Sequence, residues 1–136
     1  MKAEELRIGN WVFQGGTYGY APVTAYELYQ FSLYEVGTKT ADYYQDWQSI
    51  PLTEEWLERF GFKMSSDGTS MEMEIAYQTT SFPTTLQICG IWGYDAIEIC
   101  RSKIGALSVK CKYVHQLQNL YFALTNTELK ISETVK

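Results

Sequence analysis

A two-residue alternation of apolar and polar side chains runs through the second half of the chain and limits the folds open to it. Successive side chains of a β-strand point to opposite faces, so this alternation predicts strands that are buried on one face only. The apolar positions are Met71, Met73, Ile75, Tyr77, Ile97, Ile99, Leu107, Val109 and Cys111. With the apolar segment TLQICGIW at residues 85–92, they predict an antiparallel sheet of about four strands.

A helix predicted from about residue 113 to residue 124 is expected to cover the apolar face of that sheet. On a helix that advances about 100° per residue, its apolar side chains fall within a stripe roughly 120° wide. They are Tyr113, Val114, Leu117, Leu120, Tyr121 and Leu124. Asn126 suits the left-handed conformation that ends such a helix.

A shorter linking helix is predicted in the segment IPLTEEWLERFGF, residues 50–62. Thr53 can accept a hydrogen bond from the first free N–H groups, and Gly61 can take the left-handed conformation after the last turn. One face of this helix is expected to lie in the core, with Trp56, Leu57 and Phe60.

The N-terminal part has the composition of β-structure. NWVF is followed by Gly15-Gly16, a hairpin signal, and APVTAYELYQFSLYEV is rich in Val, Tyr and Phe. These features predict a small bent antiparallel sheet, closed as an SH3-like barrel. The fold class is therefore α+β, with residues 1–136 as a single domain that can divide into a β-rich half, 1–50, and a second half, 51–136.

The composition predicts a cytoplasmic protein. Glu4 and Glu5 occupy the place where a signal peptide needs apolar residues. The uncharged stretch from residue 75 to residue 94 is too rich in Gln, Thr, Ser, Pro and Gly to span a bilayer. No membrane partner is expected.

No metal or other cofactor is expected either. Cys89, Cys100 and Cys111 are spaced eleven residues apart, which matches no common zinc motif, and free buried thiols fit a reducing compartment. The only histidine, His115, has Asn119 at the i+4 position, where a second ligand would stand.

His115 lies on the side of the predicted helix opposite its apolar stripe, together with Asn119 and Phe122. Three explanations are open for this second side. The N-terminal half can fold over it, a partner protein can bind there, or the imidazole can act chemically with a thiol or carboxylate.

Aromatic residues are concentrated between residues 18 and 47: Tyr18, Tyr20, Tyr26, Tyr29, Phe31, Tyr34, Tyr43, Tyr44 and Trp47. Such rings can stack on nucleic-acid bases. However, residues 8–58 contain one lysine against seven carboxylates, a local charge of −6, which repels phosphate and excludes duplex nucleic acid as a partner. Tyrosine with acid is typical of protein-contact surfaces, although the tyrosines can also fill a small barrel core.

Three segments resemble a family of small uncharacterised proteins of gut bacteria and of their phages and mobile elements. They are LRIGNWV (6–12), IPLTEEWLERFGF (50–62) and YVHQLQNLYFALTNTEL (113–129), and they span nearly the whole chain. Members of that family usually have a glycine where this chain has Asn126. The resemblance implies a stand-alone cytoplasmic protein associated with phages or mobile elements, and it implies no reaction or catalytic residue.

The sequence favours a non-enzymatic protein-binding module whose partner is another protein or a second copy of the chain. The predicted contact residues are Tyr26, Tyr29, Phe31, Tyr34, His115, Asn119 and Phe122. Two alternatives stay open: a small enzyme that uses His115 with a cysteine or carboxylate, and single-stranded nucleic-acid binding by aromatic stacking.

Overall fold

A computed structural model of the chain describes residues 1–16, 18–37, 44, 46–66, 68, 70–75, 84–89, 96–101 and 105–131. The chain forms two compact units. The first unit combines Met1–Pro51 with Tyr113–Asn119, and the second combines Leu52–Lys112 with Leu120–Lys136. The last helix, α3 (Val114–Thr125), therefore contributes its first turns to one unit and its last turns to the other.

The first unit contains a short 3₁₀ helix (Ala3–Glu5), strands β1 (Trp11–Phe13) and β2 (Tyr20–Pro22), and helix α1 (Ala25–Glu35). The two strands are antiparallel, and Val12 is paired with Ala21. The core of this unit consists of Leu6, Val12, Val23, Phe31, Tyr44 and Trp47.

The predicted N-terminal barrel is wrong. The segment APVTAYELYQFSLYEV holds the end of β2 and then α1, because Thr24 starts a helix where a strand was expected. Among its described residues, the first unit has a two-stranded sheet that does not close.

The second unit begins with helix α2 (Glu54–Arg59), which confirms the predicted linking helix. The Trp56 N–H donates to Oγ1 of Thr53 at 3.3 Å. At the other end Gly61 has a φ of +95°. The N–H groups of Gly61 and Phe62 donate to the carbonyls of Glu58 and Leu57 at 3.0 and 2.9 Å, as in a Schellman motif. Trp56, Leu57 and Phe60 are buried, as predicted.

A five-stranded antiparallel sheet follows, with the strands in chain order: β3 (Lys63–Met64), β4 (Ser70–Ile75), β5 (Thr84–Cys89), β6 (Ala96–Arg101) and β7 (Gly105–Lys110). The α+β class is thus confirmed. The sheet has one strand more than expected, because the two residues of β3 pair with β4 at its edge. Met71, Ile75 and Leu86 are buried, while Glu74 is exposed, as the alternation predicts. Tyr77, Ile91 and Trp92 lie outside the described residues.

Helix α3 confirms the predicted C-terminal helix. Asn126 has a φ of 57°, and its N–H donates to the Phe122 carbonyl at 2.7 Å, so the predicted left-handed stop is present. That α3 covers the apolar face of the sheet stays a prediction. None of the described helices is long and apolar enough to cross a membrane.

Candidate functional site

Helix α1 starts at a capping box. The Glu27 N–H donates to Oγ1 of Thr24 at 3.2 Å, and the Thr24 N–H donates to Oε1 of Glu27 at 3.0 Å. These two bonds satisfy N–H groups that a helix otherwise leaves without partners. The first turn of α1 is therefore held in place by its own sequence.

The inner side of α1 packs through Phe31, which is 4% exposed. Its ring is stacked on Trp47 with centroids 5.1 Å apart and lies 6.2 Å from Tyr44. Tyr44 and Trp47 in turn meet edge to face at 5.0 Å. Each aromatic pair of this kind contributes about 0.5–1.5 kcal/mol beyond burial of its area, so Phe31 fixes the helix to the core.

Both charged residues of α1 lie on this same inner side. Glu27 and Glu35 are within about 40° of Phe31 around the helix axis. Glu27 closes the capping box, and the Glu35 carboxylate accepts a hydrogen bond from the Ala3 N–H of the 3₁₀ helix. Glu27 thus caps the start of α1, Glu35 joins its end to the 3₁₀ helix, and neither carboxylate lies on the outer side.

The outer side of α1 carries no charge. Tyr26 and Tyr29 are 69% and 60% exposed, and the half-buried Leu33 lies between them around the helix. We call Tyr26, Tyr29, Gln30 and Leu33 the tyrosine face. A helix at the surface of a domain normally has charged residues on its outer side, so the uncharged, tyrosine-bearing outer side of α1 departs from the usual arrangement.

Tyr34 stands at the border between the two sides of α1. It is 37% exposed, and its ring lies 6.3 Å from Phe31 and 6.4 Å from Tyr44. The core therefore fixes one side of this ring, and the other side continues the tyrosine face toward the end of α1.

Asn119, in the first-unit part of α3, holds the N-terminal segment. Its Oδ1 accepts hydrogen bonds from Nη1 of Arg7 at 3.2 Å and from Nδ2 of Asn10 at 3.0 Å. Its Nδ2 donates to the Glu5 carbonyl at 2.9 Å. One amide thus binds three residues of the chain start.

Gln118 makes a second set of bonds to the same segment. Its Oε1 accepts from the Trp11 N–H at 2.8 Å, and its Nε2 donates to the Gly9 carbonyl at 3.2 Å. Gln118 is 1% exposed, so these bonds are shielded from water. The segments LRIGNWV and YVHQLQN, which the sequence comparison singled out together, meet at this polar network.

His115 is buried next to the network, with 1% of its side chain exposed. Its ring is stacked on Tyr113 with centroids 5.9 Å apart. Neither ring nitrogen has a hydrogen-bond partner among the described residues. Burial lowers the pKa of His115, the negative charge of Glu5 opposes this, and the amino terminus adds a smaller lowering. The imidazole is therefore kept neutral and out of contact with solvent.

No protein-family model, curated protein or solved structure compared with this chain matches it.

The four contact residues predicted on the N-terminal sheet lie on helix α1, and the structure separates them. Tyr26, Tyr29 and Tyr34 are exposed. Phe31 is a core residue, and a ring so deeply buried offers a partner no surface, so its inclusion among the contact residues was wrong. Leu33 was not among the predicted contact residues. The Thr24-x-x-Glu27 spacing is a helix-start signal, and on a helix that starts there Leu33 lies beside the tyrosines.

The three contact residues predicted on α3 are placed differently from one another. His115 is buried and cannot be a surface contact in this structure, because the N-terminal segment covers its side of the helix. Asn119 is half-buried, and its side-chain amide is hydrogen-bonded within the polar network. Phe122 is half-buried in the second unit, and its binding role stays a prediction.

Cys111 does not have the properties of a nucleophile. It is 1% exposed, and burial raises the pKa of its thiol to about 12, so the thiol stays protonated at neutral pH. The side chains of Cys89 and Cys100 lie outside the described part. Among the described residues, no group of three His, Cys, Asp or Glu side chains is placed to hold a metal ion.

Proposed function

We propose that the chain is a non-enzymatic protein-binding module that engages its partner through the tyrosine face of α1. The observation that carries the proposal is the uncharged, tyrosine-bearing outer side of this helix. Two neighbouring tyrosines point to solvent from a capped helix whose carboxylates are used on the inner side. Aromatic residues with few charges are typical of the centre of a protein interface.

The tyrosine face can supply useful binding energy. A tyrosine buries roughly 150–250 Å² in a contact, and these two rings are mostly exposed in the free protein. Covering their apolar atoms is worth roughly 3–5 kcal/mol before the cost of association is subtracted. Tyr26 and Tyr29 are therefore adequate as the centre of an interface whose rim adds further contacts.

The tyrosine face is also preorganised for binding. The capping box fixes the start of α1, Phe31 anchors its middle, and the Glu35–Ala3 bond holds its end. A tyrosine has only two side-chain torsions to immobilise, so the entropy lost on binding is small.

Two observations support this proposal over the alternatives. An enzyme based on His115 needs the imidazole in reach of a substrate, and that ring is buried and stacked on Tyr113. Binding of single-stranded nucleic acid needs cations beside the rings. Residues 8–38 contain neither lysine nor arginine.

Site-specific photo-crosslinking tests the proposal. p-Benzoylphenylalanine in place of Tyr29 is expected to give a discrete adduct with one protein after irradiation in cells of the native host. The matched control carries the same group in place of Tyr18, a tyrosine 65% exposed in the same unit but outside α1. Equal adduct patterns at both positions, or no adduct at position 29, would contradict a contact at the tyrosine face.

A further inference from the structure

We infer that the partner of the tyrosine face presents a basic segment, with arginine rather than lysine as the residue that contacts the rings. This inference rests on the proposed function and adds the chemistry of the partner. Three features of the first unit support it: its charge distribution, the end of α1 and the spacing of the two tyrosines.

Carboxylates outnumber cations among the described residues of the first unit, by five to three when the amino terminus is counted. No lysine or arginine occurs from residue 8 to residue 38. The 3₁₀ helix bonded to the end of α1 adds two exposed carboxylates, Glu4 and Glu5. Of the cations near the start of the chain, Lys2 is exposed, whereas Arg7 is half-buried and bonded to Asn119. A basic partner that extends from the tyrosine face to the end of α1 therefore meets the exposed carboxylates of Glu4, Glu5 and Glu35.

The C-terminal end of α1 lacks the cation that helices usually have there. The last turn contains no basic residue and carries the exposed carboxylate of Glu35, at the negative end of the helix dipole. A positive side chain is the group that this end of the helix favours.

The spacing of the two rings fits a guanidinium group. Residues three apart on a helix have Cβ atoms about 5–6 Å apart, and a cation interacts with a ring within about 6 Å of its centroid. One arginine can therefore contact both Tyr26 and Tyr29. The planar guanidinium stacks on aromatic faces and sheds water more readily than an ammonium, which favours arginine over lysine. The chain already contains such a pair, in which the Arg59 guanidinium lies 4.9 Å from the centre of the Trp56 ring.

A second copy of the chain is a poorer occupant. Each copy has a net charge of −5, and residues 8–38 have no cation to offer the carboxylates of the other copy. The same excess of negative charge repels anionic lipid and nucleic acid.

Selection of random twelve-residue peptides, displayed on phage and captured by the immobilised full-length protein, tests the inference. We expect arginine, and not lysine, to be enriched in the selected peptides. Their affinity should fall about tenfold on the Tyr26→Gln/Tyr29→Gln double variant, because both ring contacts are lost. Glutamine favours helix, and both positions face solvent, so circular dichroism and thermal unfolding should match the parent protein.

The other possible results separate failure of the inference from failure of the proposed function. Peptides that need the two tyrosines but show no enrichment of arginine would overturn the inference and leave the proposed function intact. Peptides that bind the double variant equally well would contradict both. A dimer in sedimentation velocity that the double variant abolishes would make a second copy the occupant. No selected peptide at all would also overturn the inference, and crosslinking at position 29 would then judge the proposed function by itself.

Discussion

The side-chain amide of Asn10 donates a hydrogen bond to Oδ1 of Asn119 at 3.0 Å, and this contact joins the first segment of the chain to its last helix. Asn10 is 0% exposed, and the same Oδ1 also accepts from Arg7. Loss of this shared acceptor should therefore destabilise the protein.

Asn119→Ala is expected to lower the free energy of unfolding by about 1–3 kcal/mol, because it leaves the buried Asn10 amide without this partner and removes the bond to the Glu5 carbonyl. Urea denaturation followed by tryptophan fluorescence measures the change. Asn126→Gly is the control, since its left-handed φ of 57° suits glycine and its side chain is exposed. An equal loss of unfolding free energy in both variants would contradict a stabilising role for the hydrogen bonds of Asn119.

The stability of the protein should decrease as the pH is lowered, because of His115. Burial lowers the pKa of the folded-state imidazole, so the unfolded chain binds more protons once the pH falls below the unfolded value of 6.5. The contribution is complete above about pH 6.5 and is lost as the pH falls, with a slope of at most about 1.4 kcal/mol per pH unit.

His115→Leu removes this titration, together with two ring nitrogens that have no hydrogen-bond partner among the described residues. We expect the variant to be about as stable as the parent at neutral pH, and its unfolding free energy to change less between about pH 7 and about pH 5.5. Denaturation curves at several pH values decide this, and parallel pH profiles would contradict the prediction.

Gly61→Ala should destabilise the protein by about 1–2 kcal/mol, because φ at this position is +95° and a side chain strains the end of α2. The matched control is Gly16→Ala, where φ is not in the left-handed region and an added Cβ meets no atom within 4 Å. Thermal unfolding of the two variants compares them directly. A smaller effect at position 61 than at position 16 would contradict the assigned helix end.

The two sides of α1 should respond differently to truncation. Phe31→Ala is expected to cost about 3–5 kcal/mol, since it leaves a cavity beside Trp47. Tyr29→Ala should change stability by less than about 1 kcal/mol, since its side chain is 60% exposed. Denaturation of both variants checks the difference. If Tyr29→Ala is as damaging as Phe31→Ala, the ring is a packing residue and the tyrosine face loses its role.

Cys111 should react slowly with a thiol reagent in the folded protein and rapidly in urea. Burial keeps the reagent away from the thiol, and a pKa of about 12 keeps the thiol protonated, so little reactive thiolate is present. Mass spectrometry of the peptide that contains residue 111 follows this site separately from the other cysteines. Fast labelling of the folded protein would contradict the buried, protonated thiol.

The sequence predicted those parts of the fold that local signals define. Thr53 and Gly61 determine the ends of α2 through bonds made within a few residues, so they could be recognised without tertiary structure. The strands from residue 70 onward were recognised from alternation, which depends only on which face is buried. The side of α3 on which His115 lies followed from helix geometry, but what covers that side depends on residues 5–11, more than a hundred positions away.

Helix α1 was predicted as strand for the same reason that it became the candidate site. Tyr26 and Tyr29 stand where a surface helix normally has charged residues, so the segment lacks helical periodicity and has the composition of a strand. The Thr24-x-x-Glu27 spacing is the local signal that marks the start of this helix, and the prediction of strand rested on the content of Val, Tyr and Phe. A violation of the usual pattern of this kind is expected where function, and not folding, selects the residue.

The first unit is discontinuous in sequence, because Tyr113–Asn119 completes a structure that begins at Met1. A ribosome must therefore synthesise residues 1–119 before Gln118 and Asn119 can reach the Gly9–Trp11 backbone and the Asn10 amide. Until then the nascent N-terminal segment keeps these polar groups hydrated, and the first unit cannot complete this network.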